Sequence, residues 1–307
     1  MTVRIGIVGV GSVGTSVAVS VLHSGIANEV LLHDIRTDRT VGEALDLEQG
    51  SSFYPTATVR AVAFDNLLDT DAVVLSAGRN GRPGETRLDL LKDNAVVAAD
   101  LGRRLRGYRG VVVVVSNPVD ILTRIVQEAS ALPKTRVIGT GTMLDTARLR
   151  QMLGAMLQLD PRVIHASVVG EHGDSQVVLW NSAHVGGRRL REWDAWDPAD
   201  EPHIAARVRG AAGEIISRKG VTNHAIGLVT AALLRWLVRG ERRILTVSRV
   251  QDGAFGLNDV ALSLPCIVGA NGAEQVIEPD TSPEELEAIR HSAEVLAAAH
   301  ESVAPPT

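Results

Sequence analysis

The sequence predicts an α/β chain, with a doubly wound parallel sheet in its first half and a second, α+β domain in the remainder. Three observations carry this. A short apolar strand runs directly into Gly9-Val10-Gly11-Ser12-Val13-Gly14 and then into a helical pattern. Up to residue 140, strand-like runs alternate with helical stretches, the order of right-handed strand–helix–strand crossovers. After that point the grain changes to long helices and paired extended runs, so units of 1–140 and 141–307 are expected.

The first strand is Arg4-Ile5-Gly6-Ile7-Val8, and the helix after the glycines extends to Ser24. A glycine fingerprint between a strand and a helix is the setting of a dinucleotide site. Gly9 permits the tight turn, Gly11 lets a pyrophosphate approach the backbone, and Gly14 lets helix and strand pack closely. The second strand, Val30-Leu31-Leu32-His33, ends in Asp34, roughly 20 residues past the fingerprint, where a carboxylate accepts hydrogen bonds from a ribose. A carboxylate there repels a 2′-phosphate, so NAD is expected rather than NADP, with Arg36 and Arg39 as a counterweight. A cap for the next helix is the alternative role of Asp34.

Further strands are expected at Thr58–Val62, Ala72–Ser76, Val111–Val115 and Arg136–Gly139. The five consecutive valines suit a central strand buried on both faces. Ala77 and Gly78, leaving the fourth strand, join the expected cofactor contacts. In the second half, a helix over Met143–Leu157 leads to a strand over Val163–Val169, followed by Val177–Trp180. Helices are expected over 203–219 and 223–238, then an antiparallel pair, Arg243–Val250 and Asp259–Val268, with Val276-Ile277 returning beside it. Thr281-Ser282-Pro283-Glu284-Glu285 opens a last amphipathic helix to His300. Glu192–Pro202, rich in Trp, Asp and Pro, is expected as a surface loop.

Composition narrows the classes. Hydrophobic residues at 45% and charged residues at 22% of 307 fit a globular protein. A net charge of −5, with arginines scattered along the chain, argues against a nucleic-acid partner. No apolar run is long enough to span a bilayer, and no His/Cys spacing suits a metal. The single cysteine, Cys266, lies in an apolar run and reads as a buried thiol. The chain opens on strand residues with no signal-peptide pattern, so a cytoplasmic protein is expected.

Four segments look built for chemistry. Val163–Val169 delivers His172 into Gly170-Glu171-His172-Gly173-Asp174-Ser175, and a histidine at a strand end is a candidate acid or base. Asp145 and Arg148, three apart on one helix, lie within mutual reach. Either they form a helix-internal ion pair, or one orients a histidine while the other grips an anion. Ser116-Asn117-Pro118-Val119-Asp120 lies at the carboxyl end of the fifth strand, where open α/β sheets bind ligands; Asn117 is a candidate for orienting cofactor or substrate. Residues 78–87, with three glycines and one proline, suit a hinged lid that ends at Arg87.

With these residues in place, the chain resembles the lactate/malate dehydrogenase family of L-2-hydroxy acid dehydrogenases, and bacterial L-lactate dehydrogenases most. The similarity rests on the fingerprint together with Pro83-Gly84-Glu85-Thr86-Arg87-Leu88-Asp89-Leu90, Ser116–Asp120, Leu144–Arg148 and Gly170–Ser175. The resemblance implies a Rossmann NAD domain followed by a substrate domain. It also implies hydride transfer between NAD and a small 2-hydroxy or 2-oxo acid. His172 is then the proton donor and acceptor, oriented by Asp145. Arg148 binds the substrate carboxylate, and Arg87 polarises the carbonyl. Asn117 helps to place both histidine and substrate, and Thr222 lines the pocket. A cis Asn117-Pro118 bond and a homotetramer or homodimer are also implied.

One departure bears on specificity. Where lactate enzymes of the family carry glutamine and malate enzymes arginine, this chain carries Gly81. Arg82 or Arg79 beside it can meet a second carboxylate, or the missing side chain leaves room for a longer substrate. Lactate/pyruvate ranks first, malate/oxaloacetate second and a longer-chain hydroxy acid close behind. An NAD-binding protein that has lost catalysis is the alternative from another class, and the complete set His172, Asp145, Arg148 and Arg87 argues against it.

Arg150 and His165 stand apart from this centre. A two-residue step along a helix turns by about 200°, so Arg150 faces away from Arg148. In related bacterial enzymes, residues at these places bind fructose 1,6-bisphosphate between subunits, which implies an anion-controlled oligomer. Ordinary solvated roles for both residues are the alternative.

Overall fold

The computed structural model describes residues 2–79 and 87–303, with the backbone alone at 87–89. The first half runs β1 (Arg4–Val8), α1 (Ser12–Ser24), β2 (Glu29–His33), α2 (Thr37–Gln49), β3 (Thr58–Ala61) and β4 (Ala72–Leu75). It continues with α3 (Arg87–Arg104), β5 (Val111–Val114), α4 (Val119–Ser130) and β6 (Val137–Gly139). All six strands pair in parallel, in the order β3-β2-β1-β4-β5-β6. The order reverses between β1 and β4, and ligands of open α/β sheets bind in the crevice at such a reversal. The loops after both strands meet there.

The second half comprises α5 (Met143–Leu157), β7 (Ile164–Val169), β8 (Val177–Val185), β9 (Arg188–Arg189), α6 (Glu201–Lys219) and α7 (His224–Arg239). It ends with β10 (Arg243–Asp252), β11 (Asn258–Gly269), β12 (Gly272–Val276) and α8 (Pro283–Glu301). The last three strands are antiparallel, as their alternation suggests, but they form no separate sheet. β10 docks on β6 with Ser248 opposite Gly139, extending the first sheet to nine strands. The reason is physical: β6 would otherwise present an unpaired edge of N–H and C=O groups.

Burial explains the element choices. Each residue of β5 is buried, because helices cover both faces of the sheet. On one face α3, α4 and α8 contribute Leu91, Leu101, Leu122, Val126, Ile289 and Leu296 to a continuous core. On the other, α1 and α7 contribute Val17, Val21, Leu22, Leu233, Leu234 and Leu237. α8 opens with Ser282 and Glu285 in a reciprocal capping box and with proline in its first turn.

β7, β8 and β9 form a small antiparallel sheet over a third core, supplied by Leu149 and Leu153 of α5 and Ile204 and Val208 of α6. The expected surface loop over 192–202 is exposed along most of its length, runs into α6 at Glu201, and is held down at one point. Trp196 is buried in this core, its ring 5.7 Å from that of Trp180 and its indole N–H directed at Glu201. Arg191 also donates to Glu201 at 2.8 Å. One apolar side chain among acids and prolines anchors the segment, a feature that average composition conceals. Among the described residues, no helix is long and apolar enough to cross a membrane.

Candidate active site

The site begins where α5 meets β7. The Thr142 hydroxyl donates to Val168 O at 2.6 Å, and Thr146 Oγ1 accepts from Val168 N at 3.0 Å. These bonds fasten the first turn of α5, which carries Asp145, to the end of the strand that leads to His172. Past β7, Gly170 exchanges two main-chain bonds with Ser263 of β11, at 2.8 and 2.9 Å. Glu171 N donates to Ser292 Oγ of α8, and His172 N donates to Asp120 Oδ2 of α4, both at 2.7 Å. The histidine loop is therefore tied to three elements.

Within that frame His172 Nδ1 lies 2.6 Å from Asp145 Oδ2. An ionised carboxylate can only accept, so Nδ1 carries the proton and Nε2 is left for chemistry. Asp145 is nearly enclosed, with 3% of its side chain exposed against 24% for His172. Burial alone would disfavour both charges. For Asp145 the hydrogen bond and charge of His172, with Arg148, outweigh it and hold the carboxyl below its ordinary range. For His172 burial is outweighed by Asp145 and then Asp120, against opposition from Arg148, so its pKa is raised above the ordinary value. The balance favours the imidazolium over the neutral ring.

Arg148 Nη1 donates to Asp145 Oδ1 at 2.9 Å. The helix-internal ion pair and the histidine–carboxylate pair thus coexist, one on each oxygen of Asp145. Among the described residues this is the hydrogen bond of the Arg148 guanidinium, so the rest of its planar fork is available to an anion.

The cofactor crevice lies at the sheet reversal. A side chain at Gly14 would place its Cβ 1.9 Å from Gly9 O, whereas at Gly11 nothing lies within 4 Å. Gly14 is thus required for packing, and Gly11 leaves an open backbone face. Gly9 has φ +92°, with Ala77 packed against it. Asp34 Oδ2 accepts from Val10 N at 2.8 Å and Oδ1 from Arg36 N at 3.0 Å. Burial opposes its charge, but these backbone donors and Arg36 hold its pKa low. Asp34 does not cap α2, whose N-cap is Arg36 with no side-chain cap bond, and its ionised carboxylate fits the ribose of an unphosphorylated dinucleotide.

The remaining candidates divide. The Asn117–Pro118 bond is cis, as expected. Asn117 is exposed, its carbonyl accepting from Asn94 Nδ2 at 3.2 Å. Gly78 packs against that same Asn94. Arg79 Nε donates to Asp93 of α3 at 2.8 Å. Arg87 begins α3, but its side chain, like Gly81, Arg82 and residues 80–86 of the expected lid, lies outside the described residues. Thr222 is half-buried in the α6–α7 connection. Among the described residues, neither Asn117 nor Thr222 hydrogen-bonds to His172. Arg150 turns away from Arg148, donating to Ala166 O at 2.9 Å, and His165 is exposed on β7 opposite His184. Cys266 is buried, its thiol pushed up to about 12, an inert core residue.

Two family models cover almost all of this architecture. The lactate/malate dehydrogenase NAD-binding domain matches residues 3–139, and the alpha/beta C-terminal domain of the same family matches 142–305. The chain belongs to the lactate/malate dehydrogenase family. Among members of the family, the L-lactate dehydrogenase of Salinibacter ruber is 44% identical over 299 residues, covering 95% of each chain. That of Treponema denticola is 42% identical over 301 residues, covering 95% of this chain and 96% of its own. The crystal structure of the minor L-lactate dehydrogenase of Enterococcus mundtii, in a ligands-bound form, superposes with a TM-score of 0.96 at 37% identity and 99% coverage of both chains. NAD is the cofactor of this family member.

Sequence reasoning passed over two residues of the site. Asp120 stands in the Ser116–Asp120 motif, and a carboxylate in the first turn of a helix was its available signal. Asn94 is buried within α3, where its amide joins Arg79 to Asn117. No local pattern marks it.

Proposed function

We propose that this protein is an NAD-dependent L-lactate dehydrogenase, interconverting pyruvate and L-lactate. The observation that carries the reading is the shared Asp145 carboxylate, with His172 on one oxygen and Arg148 on the other. Bound nicotinamide supplies the hydride to the keto carbon and takes it back from the alcohol. His172 Nε2 donates a proton to the keto oxygen, and Asp145 holds the ring and stabilises its cation. Arg148 grips the carboxylate of the 2-oxo acid as a fork, three residues from the group that orients the histidine. Arg87, at the start of α3, is assigned to the carbonyl where negative charge develops. Asn117 and Thr222 line the pocket. Gly9, Gly11 and Gly14 with Ala77 and Gly78 form the cofactor cradle, and Asp34 takes the ribose. The boundary at residue 140 separates the NAD unit from the substrate unit.

Gly81 keeps malate and longer-chain hydroxy acids as the competing substrates, with Arg82 or Arg79 as the candidate partner for a second carboxylate. A panel of pyruvate, oxaloacetate and a branched 2-oxo acid, each reduced with NADH, tests the reading. Pyruvate is expected to give the highest kcat/KM, and Gly81→Gln to strengthen that preference. A higher value for oxaloacetate that falls on neutralising Arg82 would overturn it, as would reduction of no 2-oxo acid.

A regulatory site is part of the proposal. Burial lowers the Arg150 pKa, and its described hydrogen bond is to a neutral carbonyl, while the exposed His165 stands on the adjoining strand. A homotetramer or homodimer that brings these cations together is expected to gain from fructose 1,6-bisphosphate through differential affinity for the assembled state. The expected compartment is the cytoplasm. Pyruvate saturation with and without the bisphosphate, in the parent and in Arg150→Gln, measures the site. Activation that survives in the variant would remove Arg150 from it.

A further inference from the structure

Asp120 is a charged group of this centre that the mechanism above does not use. It stands in the first turn of α4, directly after the cis Asn117–Pro118 bond, and is 2% exposed. One oxygen, Oδ2, accepts the main-chain N–H of His172 at 2.7 Å. The other, Oδ1, is buried and makes no well-formed hydrogen bond; the hydroxyl of Ser248, fully buried on β10 and likewise without a well-formed bond, is a weak neighbour of the carboxylate. A carboxylate enclosed on these terms is costly to keep, unless its charge or its single strong bond serves a purpose.

We propose that Asp120 is a positioning residue for proton transfer: it clamps the main chain of His172 while Asp145 clamps the ring, so that carboxylates on two separate helices hold the imidazole and stabilise its cation. The inference rests on the reading of His172 as the proton donor to a 2-oxo acid. The two clamps arrive from different halves of the molecule. α4 belongs to the parallel sheet, whereas α5 is fastened to the small sheet through Thr142 and Thr146. Asp120 therefore fixes where the histidine loop sits relative to the Asn117 strap, and Asp145 fixes how the ring is turned.

The charges around the pair are defined. Asp145 and Arg148 face His172 from α5, and Asp120 faces it from α4. Asp120 itself meets Ser248 from β10, with His172 and Glu171 from the histidine loop. Burial, aided by Glu171, outweighs the neighbouring Ser248 hydroxyl and His172, and the carboxyl is pushed up to about 6. Around pH 7 Asp120 is thus mainly ionised and adds to the field that favours the imidazolium.

The test is a titration of His172 by NMR in the ligand-free full-length protein, comparing the parent with Asp120→Asn and Asp120→Ala, together with pH profiles of pyruvate reduction. Asn retains an oxygen for the His172 amide but lacks the charge. Its His172 midpoint, and the alkaline limb of kcat, should both move to lower pH. Ala loses anchor and charge together, and its kcat should fall about tenfold or more, because small misplacements of a proton donor are costly. NADH affinity should change far less in either variant, and Asn should recover part of the rate lost in Ala.

A His172 midpoint unmoved in Asp120→Asn would overturn the proposal. So would a folded Asp120→Ala with the parent's kcat, or a rate lowered equally at every pH. Should Asp120→Ala fail to fold, the titration of Asp120→Asn decides alone. If the parent reduces no 2-oxo acid, the functional reading fails, while the NMR titration still reports the clamp.

Discussion

His172 and Asp145 approach to 2.6 Å although they reside on different elements, the turn after β7 and the first turn of α5. The contact settles the tautomer, because the ionised carboxylate accepts from Nδ1 and turns Nε2 outward to a substrate. It also raises the histidine pKa against the cost of burial.

The sign of the pH dependence follows. Reduction of a 2-oxo acid needs the imidazolium, so its rate should be full at low pH and fall as pH rises through the raised His172 pKa. Oxidation of the hydroxy acid should rise over the same interval. Asp145→Asn removes the charge that sustains the proton, so the alkaline limb should move to lower pH and kcat at neutrality should drop by about 100-fold. Steady-state rates across pH check both, and a limb that stays in place would show that Asp145 does not set it.

Arg148→Lys keeps the charge but loses the planar fork. KM for pyruvate should rise by about tenfold or more, with NADH affinity little changed. Fluorescence titration of NADH beside pyruvate saturation curves separates the two. Collapse of NADH binding with intact pyruvate affinity would contradict the assignment.

Asp34 has its two oxygens on the main-chain amides of Val10 and Arg36 and remains ionised at neutral pH. A 2′-phosphate brought there meets like charge, so kcat/KM should favour NADH over NADPH by at least about tenfold. Asp34→Ser should narrow that margin. Equal use of the two cofactors by the parent would refute the role.

Gly11 and Gly14 should respond differently to alanine. At Gly14 the new Cβ meets Gly9 O at 1.9 Å, so the chain must shift and thermal stability should fall along with NADH binding. At Gly11 nothing lies within 4 Å, so stability should stay near that of the parent while NADH affinity drops. Melting curves with and without NADH distinguish them. A stable Gly14→Ala with normal cofactor affinity would overturn the packing argument.

Much of this molecule was legible in one dimension. The five-valine run, the strand–glycine–helix junction and the Ser282-Pro283-Glu284-Glu285 helix start are local signals, and each formed the element it foretold. Asp145 and Arg148 were also readable as a contact, since three residues along a helix bring side chains within reach.

Periodicity records which face of an element is buried, but not what buries it. His172 meets Asp145 across 27 residues and Asp120 across 52, and no local pattern joins them. The docking of β10 on β6, the burial of Trp196 and the link from Asn94 to Asn117 are of the same kind. The sequence by itself determined the elements, the cofactor crevice and the residue types of the chemistry. Only the tertiary structure decided that one carboxylate serves both His172 and Arg148, and that Asp120 holds the histidine from behind. Such contacts depend on where distant segments come to lie, which is set by covering sheet edges and sharing cores rather than by any residue's neighbours in the chain.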